Sequence, residues 1–170
     1  MSGTGSPDTR ATDRLGSVIL AGEALTRLSP ILEADRAQAV ADLQAENSFR
    51  LCVPSDRAIP PGPYTLHLSI QEGRLVFDMR DEADAPITVL GLALGPFRGL
   101  IKDYQLLVDS HIMAIEEGRS DRIQAIDMGR RGLHNEGAAL LIARLANKVA
   151  IDQETARRLF TLVCVLHTRI

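Results

Sequence analysis

The chain has 170 residues, with 22 acidic and 19 basic side chains and a formal charge of −3 at neutral pH, a balance that argues against a dedicated nucleic-acid binder. Hydrophobic residues make up 45% and charged ones 24%, the usage of an ordinary folded domain, and a domain of this size buries roughly 70% of the surface its unfolded chain exposes, so neither metal nor disulfide is required for stability. Two cysteines, Cys52 and Cys164, cannot build a disulfide framework and suit a reducing cytosol.

Residues 1–14 carry Gly, Ser, Thr, Asp and Arg without an apolar run. Such a stretch cannot bury enough surface to offset its ordering entropy, which predicts a disordered tail followed by a single α+β domain over 15–170. Neither a charged start leading into an apolar stretch nor an apolar run of roughly 18 residues occurs, so a cytoplasmic location is expected. The short apolar run Val18 to Leu20 reads as an edge strand. Ser29 and Pro30 open a helix, the serine as cap and the proline in the first turn. Leu32, Ala39, Val40 and Leu43 fall on one side of that helix, which ends near Asn47. Residues 56–63, with Pro60, Pro61 and Pro63, read as a loop.

Two alternating runs over residues 64–80 flank Glu72 and Gly73, a two-residue connection in which glycine supplies a positive φ. Counting outward from that turn pairs Gln71 with Arg74, Ile70 with Leu75, Leu68 with Phe77 and Leu66 with Met79. The intervening pairs are Ser69 with Val76, His67 with Asp78 and Thr65 with Arg80, so one face of the hairpin seeks a core and the other tolerates water. Residues 87–94 are more continuously apolar and are expected to extend the sheet as a third, better-buried strand in a meander.

From Pro96 the period becomes helical: Phe97, Leu100, Ile101, Tyr104, Leu107, Val108, Ile112 and Ile115 follow the spacing of a buried face, and Gly118 ends the segment. Ser120 is expected to cap a second segment and Asp152 a last one. That last segment carries Leu159, Phe160, Leu162, Val163, Val165 and Leu166 nearly all round, which places it centrally. The predicted fold class is therefore α+β: a small antiparallel sheet, hairpin or meander, packed by about four helices concentrated in the C-terminal half.

The densest polar stretch is Asp127-Met-Gly-Arg-Arg-Gly-Leu-His-Asn-Glu-Gly137. On a continuous helix Asp127, Arg131 and His134 fall within about a 60° sector, with Arg130 beside them. In that arrangement Asp127 holds Arg131, and a histidine near an acid titrates around physiological pH, which suits an anion-binding or acid/base site. The ligand-binding candidates are Asp127, Arg130, Arg131 and Asn135, and the proton-transfer candidates His134 and Glu136. A purely architectural account uses the same residues: Asp/Arg pairs are common on helices, and Gly129, Gly132 and Gly137 suit close helix packing or a break between two helices.

A secondary candidate is His67 opposite Asp78 on the polar hairpin face, with Thr65 and Arg80 adjacent; left exposed, it is a modest surface contact. A third, weaker one is Gly95-Pro-Phe-Arg98 at a helix start, where backbone N–H groups attract phosphate. No P-loop, GxGxxG, GxSxG or HExxH occurs. The four histidines and two cysteines lack zinc-site spacing, so no metal and no cofactor is expected. Cys164, inside the most hydrophobic segment, reads as a small apolar filler.

Three strings carry a family resemblance: Gly62-Pro-Tyr-Thr-Leu-His-Leu-Ser-Ile-Gln-Glu-Gly-Arg-Leu-Val-Phe-Asp78, Ile126-Asp-Met-Gly-Arg-Arg-Gly-Leu-His-Asn-Glu-Gly137 and Thr155-Ala-Arg-Arg-Leu-Phe-Thr-Leu162. From about Leu15 to His167 the chain resembles an alphaproteobacterial group, uncharacterised protein family 262. The resemblance implies a bacterial cytosolic protein and transfers no activity, cofactor, partner or functional residue.

Two functional expectations follow, and the sequence leaves open whether the protein is an enzyme. One is a small non-enzymatic protein that binds another protein or its own copy through the polar sheet face or the Asp127 to Glu136 surface, with no nucleic acid and no membrane. The other is an enzyme or sensor for a phosphorylated or carboxylated small molecule. In it Arg130 and Arg131 hold the anion, Asp127 orients Arg131, and His134 or Glu136 moves a proton.

Overall fold

The computed structural model describes residues 12–21, 28–52 and 59–167. Its elements are β1 (Leu15–Leu20), α1 (Pro30–Ala45), β2 (Phe49–Leu51), β3 (Tyr64–Gln71), β4 (Arg74–Arg80), β5 (Pro86–Ala93), α2 (Arg98–Glu116), α3 (Ser120–Leu145), β6 (Val149–Ile151) and α4 (Gln153–His167). Residues 1–11 of the expected tail, and residues 56–58 of the expected proline-rich loop, lie outside the described residues. Asp13 and Arg14, assigned to the tail by composition, are built into the fold. Their carbonyls accept hydrogen bonds from Phe49 and Tyr64, both at 2.9 Å.

The hairpin forms in the register counted from its turn, from Gln71 opposite Arg74 to Thr65 opposite Arg80. Both turn residues are left-handed, Glu72 at φ 51 and Gly73 at φ 72, the geometry whose twist matches that of the flanking strands. Leu66, Leu68, Leu75, Phe77 and Met79 are fully buried on one face, while Thr65, His67, Val76, Asp78 and Arg80 remain half-buried on the other.

The α+β class and the late helices are as expected, but the four-stranded sheet is mixed rather than antiparallel throughout. Its order is β1-β3-β4-β5, and β1 runs parallel to β3. A separate two-stranded sheet joins β2 to β6. β5 is not the better-buried strand expected: it ends the sheet, with Pro86, Val89 and Ala93 exposed and Leu92 its one fully buried residue. A continuous apolar run reports two apolar faces and says nothing of what lies along the strand's outer side.

Ser29 caps α1 by accepting from the Leu32 amide, with Pro30 in the first turn. At the other end Asn47 donates to the Leu43 carbonyl and also trades two hydrogen bonds with the Leu15 backbone, each of these at 2.7 Å. Gln44 accepts from the Val18 amide at 3.2 Å. The end of α1 therefore covers the outer edge of β1.

Phe97 at the cap and Ile101, Tyr104 and Val108 within α2 form its buried stripe, whereas Ile115, expected on that stripe, is exposed. Gly118 adopts φ 67 after the last turn. α3 runs unbroken for 26 residues through all three glycines. Ser120 is its first residue rather than its cap; Arg119 holds the cap position without a side-chain bond. Asp152 caps α4 through the Thr155 amide at 2.8 Å, and every residue from Leu159 to Leu166 is buried. α4 packs against α1, α2, α3 and β3, the central position its composition predicts. Among the described residues no helix is long and apolar enough to cross a membrane.

Candidate functional site

The four helices meet at a polar cluster. Asp35 of α1 accepts hydrogen bonds on one oxygen, Oδ2, from the Tyr104 hydroxyl of α2 and from Nη2 of Arg130 on α3, each at 2.6 Å. The Asp35 and Arg130 side chains are each 18% exposed, and the Arg130 guanidinium lies 5.9 Å from the Tyr104 ring centroid. Burial works against the Arg130 charge, but the Asp35 carboxylate outweighs it and raises the pKa. Burial, reinforced by Asp35, pushes the Tyr104 phenol upward, so Tyr104 stays protonated and donates.

One turn on, His134 is held at both ring nitrogens. Nδ1 lies 2.6 Å from the Arg130 carbonyl and Nε2 lies 2.8 Å from Oγ1 of Thr161 on α4. The Tyr104 and Phe160 rings meet it edge-on at 6.0 and 5.9 Å. Burial lowers the His134 pKa, joined by the positive charges of Arg130 and Arg157 and opposed by the Arg130 carbonyl and Asp35. A carbonyl only accepts, so the neutral ring carries its proton on Nδ1, and Nε2 accepts a hydrogen bond from the Thr161 hydroxyl. The Thr161 hydroxyl also lies 3.3 Å from the Arg157 carbonyl, the acceptor it turns to when the ring is protonated. Cys164, fully buried beside this cluster, has its thiol pKa raised by burial, which removes it as a nucleophile.

The helical wheel drawn from the sequence therefore divides. Arg130 and His134 face the helix layer, whereas Asp127, Arg131, Asn135 and Glu136 face outward. The expected Asp127–Arg131 ion pair is not formed among the described residues, where Arg130 is the arginine of this segment that finds a carboxylate, Asp35. Asp127 and Arg131 instead line a shallow depression of about 630 Å³ with Asp121, Gln124, Ala125 and Met128. Two carboxylates beside one guanidinium make it a poor seat for an anion. Asp35, Tyr104 and Thr161 were not legible as members of any site, because each lies on a different helix from the polar segment. A buried carboxylate near a buried arginine is a tertiary fact without a local pattern.

On the sheet, His67 stands opposite Asp78 in register, but its Nε2 meets Oδ1 of Asp84 at 3.1 Å instead. Asp78 is taken by Arg80 at 2.9 Å, and Arg80 also reaches Asp84 at 2.9 Å. The intended cross-strand pair is thus replaced by a four-residue chain, made possible because Asp84 adopts φ 65 in the turn before β5. The hydrogen bonds from His67 and Arg80 hold the Asp84 carboxyl below its usual range.

The two edges of the sheet differ. The β1 edge is covered by Asn47 and Gln44. On β5, the bond from the Leu94 amide to the Gly73 carbonyl sets the phase of the ladder with β4. Leu92 and Leu90 turn their peptide groups toward β4, and Val89, Gly91 and Ala93 turn theirs away. Among the described residues that outward row makes one hydrogen bond, from Lys148 Nζ to the Gly91 carbonyl at 3.0 Å. Val89 is 63% exposed, and the strand Pro-Ile-Thr-Val-Leu-Gly-Leu-Ala carries no charge.

The sequence profile of a family described as uncharacterised protein family (UPF0262) matches residues 12–169. A UPF0262 protein of Granulibacter bethesdensis is 67% identical over 167 residues, covering 96% of this chain and 95% of the relative. One from Acidiphilium cryptum is 58% identical, covering 92% and 93%, and one from Bradyrhizobium diazoefficiens is 47% identical, also covering 92% and 93%. No solved structure matches the chain.

Proposed function

Because the chain belongs to uncharacterised protein family UPF0262, whose name carries no activity, we propose from its geometry that it is a small non-enzymatic cytoplasmic protein that docks an extended protein strand on the edge of β5. The observation that supports this reading is the contrast between the two sheet edges. Proteins cover, charge or shorten exposed strand edges, since unpaired peptide groups template further pairing. Here β1 is covered, whereas β5, beyond Pro86 and the register shift at Ile87, runs regular and uncharged from Thr88 to Ala93 and is closed by a single lysine. Strand addition draws affinity from main-chain hydrogen bonds and specificity from alternate side chains, and the outward row of Val89, Gly91 and Ala93 offers both.

Val89→Pro tests it. The substitution removes an outward amide without breaking the ladder to β4, so the fold is retained. Wild type is expected to self-associate or to retain a protein from a lysate of a related bacterium, and Val89→Pro to lose that binding. A wild type that stays monomeric and retains nothing ends the reading. In a thermal-shift screen against anionic metabolites, no stabilisation that Arg131→Ala abolishes is expected. A bound anion at 100 times its dissociation constant would add roughly 2.7 kcal/mol.

A further inference from the structure

We propose that the strand received by β5 is β5 of a second copy of this chain, paired antiparallel about Leu90 so that Val89 of each copy faces Gly91 of the other. The inference rests on the docking reading above and commits it to one occupant.

A two-fold axis through Leu90 makes the strand complementary to itself. Val89 of each copy meets Gly91 of the other, so on the outer face the larger side chain stands opposite the residue that has none; the regular ladder runs from Thr88 to Ala93, because the register shifts at Ile87. Val89 and Gly91 are the residues whose peptide groups point away from β4, so they exchange hydrogen bonds across the axis as a close-spaced antiparallel pair does. The Arg74 side chain of β4 comes within 3.4 Å of where a Cβ on Gly91 would stand and is the flexible group that swings aside to admit the incoming Val89. The strand itself carries no charge, and the cations that stand near the axis are Arg74 and Lys148, beside Gly91 in each copy.

The flanks are complementary too. β5 begins after a turn carrying Asp81, Glu82 and Asp84, of which Asp84 is already paired with Arg80, and ends at the Gly95–Phe97 turn leading into Arg98. Antiparallel pairing sets the acidic turn of each copy beside Arg98 and the amino end of α2 in the other, where both the guanidinium and the helix dipole favour negative charge. The β1 edge offers no comparable match, because Asn47 and Gln44 already occupy its amides. Lys148 competes for the Gly91 carbonyl that the second copy would use, so it acts as a brake on pairing.

The test is sedimentation equilibrium on the full chain, as wild type, Val89→Lys and Lys148→Ala, together with mild oxidation of Leu90→Cys in a Cys52→Ser background. Val89 is exposed, so Val89→Lys is expected to keep the wild-type circular dichroism and melting temperature. Wild type is expected to form a dimer. Val89→Lys weakens association at least about tenfold, and Lys148→Ala strengthens it a few-fold. Leu90 on the axis forms a non-hydrogen-bonded pair with its own copy, about 4.5 Å between Cα atoms, within disulfide reach. Leu90→Cys is therefore expected to cross-link, and Ile19→Cys, exposed on the opposite edge, is not. A wild type monomeric over the whole concentration range overturns self-pairing. If Val89→Lys still abolishes capture of another protein, the docking reading stands without it. A dimer indifferent to Val89→Lys and unlinked by Leu90→Cys overturns self-pairing through β5, and the docking reading falls with it when Val89→Lys also leaves capture of another protein unchanged.

Discussion

Arg130 of α3 donates to Asp35 of α1 at 2.6 Å, and the same carboxylate oxygen receives the Tyr104 hydroxyl of α2. Three helices are thereby tied at one oxygen atom. Removing the acid strands a guanidinium whose charge burial already disfavours. Breaking a fully buried pair costs about 3–5 kcal/mol. Because each partner here keeps 18% exposure, Asp35→Ala is expected to cost less, about 2–4 kcal/mol. Tyr104→Phe, which leaves the ion pair intact, should cost about 1–2 kcal/mol. Urea titrations measure both, and the Asp35→Ala/Arg130→Ala double variant should fall well short of the sum of its singles. Additive losses would mean that the two residues act separately.

His134 gives the fold a pH dependence of defined sign. Its folded pKa lies below the ordinary 6.5 because of burial, so between the folded and unfolded pKa values the unfolded chain binds the extra proton. Stability is then full above about pH 6.5 and declines as pH falls through that window, by at most about 1.4 kcal/mol per unit. His134→Gln should flatten the decline in urea midpoints measured between about pH 5 and 8. Burial also lowers the His167 pKa, but His167 is present in both proteins, so their difference isolates His134. Equal slopes would remove His134 from the account.

The three glycines of α3 should respond in opposite directions to alanine. A Cβ at Gly137 would overlap the Phe160 ring of α4, so Gly137→Ala is expected to destabilise by about 1–3 kcal/mol despite the gain in helix propensity. Nothing lies within 4 Å of a Cβ at Gly132, where alanine should stabilise by about 0.5–1 kcal/mol. At Gly129 a Cβ would meet Leu107 at 3.5 Å, ordinary contact, so alanine there should stay near neutral or gain slightly. Thermal melts of the three variants order them, and a Gly137→Ala protein as stable as wild type would show that α3 and α4 do not approach as closely as described.

Local pattern made the hairpin legible pair by pair, since a period of two and a two-residue turn leave one register. The caps at Ser29 and Asp152 were legible for the same local reason. β2 and β6 were not, being three residues each, too short for any period to register. The polar segment of α3 was found as a segment, but its division was hidden. Which of Arg130 and Arg131 turns inward depends on α2, which packs beside Gly129 through Leu107, and on α4, which packs beside Gly137 through Phe160, and a wheel drawn on one helix contains neither neighbour. Asp35 carries no local mark of its role, because its partner lies 95 residues away.

The pairing of β2 with β6 joins segments about 100 residues apart and imposes an order on biosynthesis. At about 5–20 residues per second, a ribosome needs roughly 5–20 s after completing β2 to deliver the strand that closes against it. Throughout that interval Phe49 and Leu51, buried in the finished molecule, lack the strand that closes against them. Asp13 and Tyr64, which contact Phe49 from earlier in the chain and from soon after it, are the native neighbours that exist before β6 does.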